Sequence, residues 1–258
     1  MKGAAMDNEQ RRDLIFNLLE DRGEMSVTEL AQYFKVTETT IRRDLLRMEA
    51  NQEIIRRRGY AFLPNGGHAI GIRRPNTFRE EKQRIARKAF ELCANVNSLA
   101  LDSGTTVAEL VHLLTEDHTN HKYEMVTCSL TVAYETCKYY HTYVPGGMVY
   151  PDEFSVCGFQ MVDFFKNITA DIAFLGSTGI YQTEGLTISY LPMVDIKRSL
   201  MKCASRTVVL VDSSKFSTRG LYTYSKYSEI DTLITVKTKD NEEALKRIED
   251  EGVEIILA

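Results

Sequence analysis

The chain is poor in the residues that mark unusual protein classes. Its 258 residues include only 5 prolines and 15 glycines, too few for a collagenous or low-complexity chain. No run of about eighteen apolar residues occurs, so neither a transmembrane helix nor a membrane partner is expected. The opening Met1-Lys2-Gly3-Ala4-Ala5-Met6-Asp7-Asn8-Glu9 lacks the apolar core of a secretory signal, and a cytoplasmic location is expected. Cysteine occurs 5 times, at 93, 128, 137, 157 and 203. The number is odd and no C-x-x-C occurs, which argues against a disulfide framework or a zinc site and fits reduced thiols. His112, His118 and His121 lack zinc-binding spacing and read as surface residues. No P-loop, G-x-G-x-x-G or metalloprotease motif is present, so no cofactor and no metal is expected.

What is present is ordinary globular composition, with 43% apolar and 26% charged residues. The length suits one large domain or two unequal ones. The net charge of −4 hides an asymmetry. Residues 1–90 carry 18 Lys/Arg against 13 Asp/Glu, and residues 91–258 carry 14 against 23. A basic front and an acidic rear suggest that the front meets a polyanion.

Residues 9–20 place Leu14, Ile15, Leu18 and Leu19 on one helical stripe, ended by Gly23. A second helix follows in SVTELAQYF, with Ser26 as N-cap and Glu29 completing a capping box. After the short turn Lys35-Val36, Thr37 caps a third helix from Glu38 to about Ala50, with Ile41, Leu45 and Met48 inward. Two β-like runs then flank Gly59, which reads as a hairpin wing. Three helices and a wing within residues 1–63 make a winged helix-turn-helix. Its chemistry suits double-stranded DNA. Thr39, Thr40, Arg42 and Arg43 lie on the first turns of the third helix, where either arginine reaches a guanine edge. Arg56, Arg57 and Arg58 on the wing suit phosphate or minor-groove contact. Ser26 and Thr37, through hydroxyls or the helix ends they cap, suit phosphate. The competing reading of the arginines is a solvated helix face. The RRR wing after a capped third helix favours DNA.

Residues 64–76, with two prolines and three glycines, read as a linker. Thr77 is expected to cap a helix whose inward face is Phe78, Ile85, Ala89 and Leu92. Short apolar strands then alternate with helices through residues 77–258, which predicts an α/β domain with a mainly parallel sheet. A further helix is expected over LTVAYETCKYY. Polar turns follow four strands: Asp102-Ser103-Gly104-Thr105-Thr106, Pro145-Gly146-Gly147, Gly176-Ser177-Thr178-Gly179 and Asp212-Ser213-Ser214-Lys215. Ligands of such sheets bind at the strands' carboxyl ends. Hydroxyls and N–H groups at a helix start, with Lys215 as a point charge, suit a small anion. Tyr222, Tyr224 and Tyr227 read as surface or subunit-contact residues.

The spacing Arg11…Ile15…Leu19…Thr37…Thr40-Ile41-Arg42-Arg43-Asp44-Leu45 resembles the N-terminal signature of DeoR-type bacterial transcription regulators. Gly59-Tyr60 departs from their usual Gly-Gly pair. The rear matches too, in Asp102 to Thr106, Gly146-Gly147, Glu153 with Gly158, Glu184-Gly185-Leu186-Thr187, Lys197-Arg198 and Asp212 to Phe216. The resemblance spans nearly the whole chain. It implies a rear domain similar in fold to ribose-5-phosphate isomerase that binds a phosphorylated sugar or related metabolite and changes DNA affinity. It implies a repressor of sugar metabolism genes. Because a single winged helix offers limited contact area, operator binding implies a homo-oligomer, dimer or tetramer. The effector contacts it implies are Asp102, Ser103, Gly104, Thr105, Thr106, Cys128, Gly146, Gly147, Glu153, Gly176, Lys197 and Lys215. Cys128 stands where the family usually has asparagine, and is either a ligand neighbour with fewer hydrogen-bonding groups or a small buried residue. The alternative is a sugar-phosphate isomerase with a DNA-binding domain. Against it, Leu175-Gly176-Ser177-Thr178-Gly179 holds no carboxylate where the isomerases carry theirs, and Glu153 and Asp195 are the remaining acids.

Overall fold

The computed structural model describes residues 11–12, 14–15, 18–19, 24–51, 54–57, 59–62, 78–120, 122–150 and 153–258. The chain divides into two compact units, Met1–Thr77 and Phe78–Ala258. The 64–76 linker, Thr77, Gly23 and Arg58 lie outside the described residues.

In the first unit, Arg11, Arg12, Leu14, Ile15, Leu18 and Leu19 are helical. They precede β1 (Glu24–Ser26), α1 (Val27–Phe34), α2 (Glu38–Ala50), β2 (Ile55–Arg57) and β3 (Tyr60–Phe62). The capping box forms as the sequence predicts. Ser26 Oγ accepts from Glu29 N at 3.1 Å, and Glu29 Oε2 accepts from Ser26 N at 2.7 Å. Lys35 ends α1 in the left-handed region, at φ 54°, which lets its N–H turn back onto the Ala31 and Gln32 carbonyls. Thr37 Oγ1 then accepts from Thr40 N at 3.3 Å to start α2. The three strands pair antiparallel in the order β1-β3-β2. β1 turns the expected hairpin into a three-stranded sheet.

Ile15, Leu18, Leu19, Leu30, Ile41, Leu45, Met48, Ile54 and Ala61 build one core. Leu14 does not join it and is 41% exposed. It lies about 100° around the helix from Ile15, beyond the arc spanned by Arg11, Ile15, Leu18 and Leu19. Arg11 occupies the core-facing position instead, with Nε 2.7 Å from the buried Asp44.

The second unit opens with α3 (Arg79–Glu91). The elements after it are β4 (Ser98–Leu101), α4 (Thr105–Glu116), β5 (Glu124–Thr127), α5 (Leu130–Thr136) and β6 (His141–Tyr143). Next come β7 (Met148–Tyr150), β8 (Ser155–Cys157), α6 (Phe159–Phe165), β9 (Ala170–Leu175), β10 (Gly185–Ile188) and α7 (Pro192–Lys202). The unit closes with β11 (Ala204–Leu210), β12 (Tyr222–Lys226), β13 (Thr232–Thr235), α8 (Glu242–Asp250) and β14 (Glu254–Leu257).

Seven strands form one sheet in the order β14-β13-β11-β9-β4-β5-β6, and every pairing in it is parallel. Both faces are covered, as parallel sheets require. Ile172, Phe174, Val208 and Leu210 point to a cluster with Ile85, Ala89, Leu110 and Leu114 of α3 and α4. The alternating Ala173, Leu175, Val209 and Val211 point to the other, with Met161, Met193, Ile196 and Ile248. Two antiparallel ribbons, β7–β8 and β10–β12, stand outside the sheet.

Three expectations change. Phe78 is exposed and is itself the N-cap residue of α3, in the left-handed region at φ 63°. Leu92 is only half-buried, and Lys82 and Ala86 take places on the inward face. α5 ends at Thr136 and not near Tyr140. Thr136 O accepts from both Tyr139 N and Tyr140 N, which turns the chain, and Tyr140 is drawn into the core with its hydroxyl on Leu114 O at 2.5 Å.

Candidate functional site

On α2 the buried face is Ile41, Asp44, Leu45 and Met48. The opposite face carries the DNA candidates, and their hydrogen bonds divide them. The Thr37 and Thr40 hydroxyls share a hydrogen bond at 3.0 Å. Arg42 Nη2 sits 2.9 Å from Glu38 one turn back. Ser26 is spent on its capping box. Arg56 Nε donates to Glu49 at 2.8 Å, and Arg57 lies in β2. On α2 itself, Thr39, Arg43 and Arg47 remain, exposed and one turn apart along a single row. Neither Arg43 nor Arg47 makes an ion pair among the described residues.

In the second unit, strand order reverses between β4 and β9. β4, β5 and β6 run outward on one side, and β9, β11, β13 and β14 on the other. Such a switch point opens a crevice at the carboxyl ends. Asp102 directly follows β4 there, and Gly176 directly follows β9. Asp102 Oδ2 accepts from Gly176 N at 3.0 Å and from Lys197 Nζ. Lys197 Nζ also donates to Gly176 O at 2.9 Å, and Tyr224 OH donates to the same oxygen at 2.9 Å. The ammonium lies 5.1 Å from the centre of the Tyr224 ring. Cys128, after β5, brings Sγ to 4.0 Å from Asp102 Oδ1.

This clasp is closed to water. Asp102 and Cys128 are 0% exposed, Lys197 3% and Tyr224 1%. Burial, reinforced by the Asp102 charge, pushes both the Cys128 thiol and the Tyr224 phenol well up, so both are neutral at physiological pH. The clasp therefore fixes two strand ends and offers no side chain to solvent. Lys197 spends its charge inside the protein.

The accessible chemistry lies on its rim. Gly104 precedes α4, and a Cβ there would sit 4.0 Å from the Gly176 Cα. Gly104, the N-cap residue, provides no side-chain cap for α4, so the positive end of its dipole is left beside Gly176. Gly104, Thr105, Gly176, Ser177 and Thr178 are half-buried, while Ser103 and Thr106 are buried. Lys215 follows β11, half-buried and without an ion pair among the described residues. Gly146, Gly147 and Glu153 belong to the β7–β8 ribbon, which joins the clasp through Val156 N to Cys128 O at 2.8 Å. Gly147 is needed for packing, since a Cβ would fall 2.5 Å from Cys157 O. Among the described residues no cluster of His, Cys, Asp and Glu could hold a metal.

Tyr224 is the contact that sequence reading missed. It reads as a surface tyrosine in a polar YTYSK run, yet β12 packs it beneath Gly176. Tyr227 is buried as well.

Residues 77–237 match the family model for the DeoR C-terminal sensor domain, and residues 11–65 match that for the DeoR-like helix-turn-helix domain. The chain belongs to the DeoR family. It is a DNA-binding transcription regulator of that family, and α2 is its DNA-facing candidate. The glycerol-3-phosphate regulon repressor of Escherichia coli (strain K12) is 30% identical to this DeoR-family chain over 233 residues, 89% of this chain and 91% of that one. The HTH-type transcriptional repressor GlcR of Bacillus subtilis (strain 168) is 28% identical over 257 residues, covering 98% and 97%. Among solved structures, ribose 5-phosphate isomerase A from Methanocaldococcus jannaschii superposes with a TM-score of 0.38 at 19% identity, covering 53% of this chain and 54% of that one. That likeness is too loose to carry an argument about chemistry. No helix among the described residues is long and apolar enough to cross a membrane.

Proposed function

We propose that this DeoR-family regulator is a repressor that leaves its operator when a phosphorylated sugar or related metabolite binds the second unit. In this reading residues 1–63 bind double-stranded operator DNA, 64–76 link, and 77–258 sense. The observation that carries it is the rim at the switch point, where an uncapped helix start faces Gly176 on the same sheet edge as an uncompensated Lys215. Those are anion-binding groups without a reactive partner. The printed name of the Escherichia coli relative, a glycerol-3-phosphate regulon repressor, supports a phosphorylated metabolite.

The carboxylates at the sheet edge favour binding over isomerase chemistry. An isomerase needs a carboxylate that reaches substrate as a base. Asp102 and Asp212, the carboxylates directly after β4 and β11, are buried and engaged with protein donors. A single winged helix offers limited contact area, so operator binding calls for a dimer or tetramer.

The experiment is a thermal-shift screen against phosphorylated sugars, with an isomerase assay on each hit. A true effector at about 100 times its Kd adds about 2.7 kcal/mol of stability. Lys215→Ala is expected to bind operator normally and lose that shift. A normal shift in the variant removes Lys215 from the site, and turnover of a hit makes the unit an enzyme. On the DNA side, Arg43→Ala is expected to cost about 1–3 kcal/mol of operator affinity and to relax base preference. Arg42→Ala costs less, because Arg42 is already tied to Glu38. Unchanged discrimination between operator and scrambled duplex in Arg43→Ala overturns the base-reading role.

A further inference from the structure

We propose that the first turn of α3 is a latch through which occupancy of the sensor rim reaches the DNA-binding unit; this rests on the sensor reading above. Glu81, on that turn, is held by a single residue far along the chain. Ser213 N donates to Glu81 Oε2 at 2.8 Å, and Ser213 Oγ donates to Oε1 at 3.0 Å. The next residue, Lys82, is 3% exposed and brings Nζ to 4.0 Å from Oδ2 of Asp212, itself 1% exposed. Asp212 Oδ1 accepts from Ser214 N at 3.0 Å and from Ser214 Oγ. Asp212 Oδ2 makes no hydrogen bond among the described residues.

One short loop, residues 212–217, thus does two things at once. It carries Lys215 at the sensor edge, and it holds the start of α3. α3 is the first described element after the segment that leads from the winged helix, so a shift of its first turn shifts the point from which that segment departs.

Lys82 and Asp212 are both buried and stand 4.0 Å apart, so the same loop also sets the place of the next residue of α3. The Ser213 N–H and hydroxyl are groups suited to an anion, and the Glu81 carboxylate occupies them now. An anion held by Lys215, two residues on, competes for those donors and repels the carboxylate. The anion-bound and anion-free loops therefore differ in how firmly they hold α3. That difference in contact is what a switch requires.

The test is a double-mutant cycle on coupling in the full chain, with Glu81→Ala, Ser213→Ala and the double variant. The DNA is a duplex selected from random sequence by the wild-type chain. The ligand is whichever of glycerol 3-phosphate, glucose 6-phosphate, fructose 6-phosphate and ribose 5-phosphate most raises the wild-type Tm. The readout is the ratio of operator Kd with and without that compound at saturation. Each single variant is expected to keep ligand-free operator affinity within about threefold while the ratio falls at least about fivefold. The double variant falls no further than the worse single, because both changes break one connection. Should Glu81→Ala fail to fold, Glu81→Gln keeps one acceptor oxygen for Ser213 N and carries the same measurement. Ratios within about twofold of wild type in the singles, or additive losses in the double, overturn the latch alone. If none of the four compounds weakens operator binding by the wild type, the sensor reading falls and takes the latch with it.

Discussion

Lys197→Met is expected to destabilise the second unit by about 3–5 kcal/mol, the cost of breaking a buried ion pair from one side. The substitution nearly preserves volume but leaves the Asp102 carboxylate at 0% exposure with its ammonium gone. Among the described residues, the Gly176 N–H, at 3.0 Å, is then the one donor left on Oδ2. For a unit of this size the loss lowers Tm by roughly 6–20 °C. The double variant Lys197→Met/Asp102→Asn recovers most of it, because the orphaned charge is removed. Calorimetry on the wild type and both variants measures this directly. An effector contact without a structural task behaves differently. Its loss leaves Tm in place and abolishes only the ligand-induced shift, and that result overturns the clasp.

Asp44→Ala is expected to have a comparable effect on the first unit. Asp44 sits inside the T-I-R-R-D-L run, between an exposed arginine and a buried leucine, and reads from the sequence as part of a DNA motif. The structure turns it inward. Arg11 Nε lies 2.7 Å from its Oδ2, with side chains 6% and 3% exposed, and Arg12 Nη1 lies 4.0 Å from Oδ1. Removing the carboxylate withdraws the anion from a buried guanidinium, again at about 3–5 kcal/mol. A unit of roughly 60 residues buries little surface and has little stability beyond that. Operator binding is therefore lost although no DNA-facing side chain has changed. The measurement is thermal unfolding followed by helical circular dichroism, in which the transition of the first unit moves down and that of the second stays. An Arg11→Met/Asp44→Leu pair restores the transition. An Asp44→Ala chain that melts normally yet fails on DNA places Asp44 at the interface and overturns the structural role.

The two cases show where sequence reading stops. The caps of α1 and α2 are local, three residues from donor to acceptor, so Ser26, Glu29 and Thr37 announce their helices. The inner sheet strands β4, β5, β9, β11 and β13 carry short apolar runs that are buried on both faces, and they too are visible. β1, β7, β8, β10 and β12 are three to five residues each, with mixed polarity, and present no period to detect. α7 escaped because Lys197 stands in its buried stripe and makes an inward face look polar. The polar turns at the sheet edge are legible as candidates. Their division of labour is not, because it depends on contacts such as Lys197 to Asp102, 95 residues apart. Side-chain type alone leaves Lys197 and Lys215 equivalent, and only burial separates the inward cation from the outward one.

The reversal of strand order also has a consequence during synthesis. β4 lies between β5 and β9 in the finished sheet. The ribosome delivers β5 soon after β4, but β9 begins about 70 residues after β4 ends, roughly 4–14 s later at ordinary elongation rates. Through that interval one edge of β4 has no partner, and Leu99, Ala100 and Leu101, all 0% exposed in the finished fold, have only half their surroundings. An open parallel edge flanked by apolar side chains is what nascent-chain holdases recognise and what neighbouring chains on a polysome pair with. Slow codons before residue 170 lengthen the interval, and the yield of folded regulator then depends on translation speed as well as on its equilibrium stability.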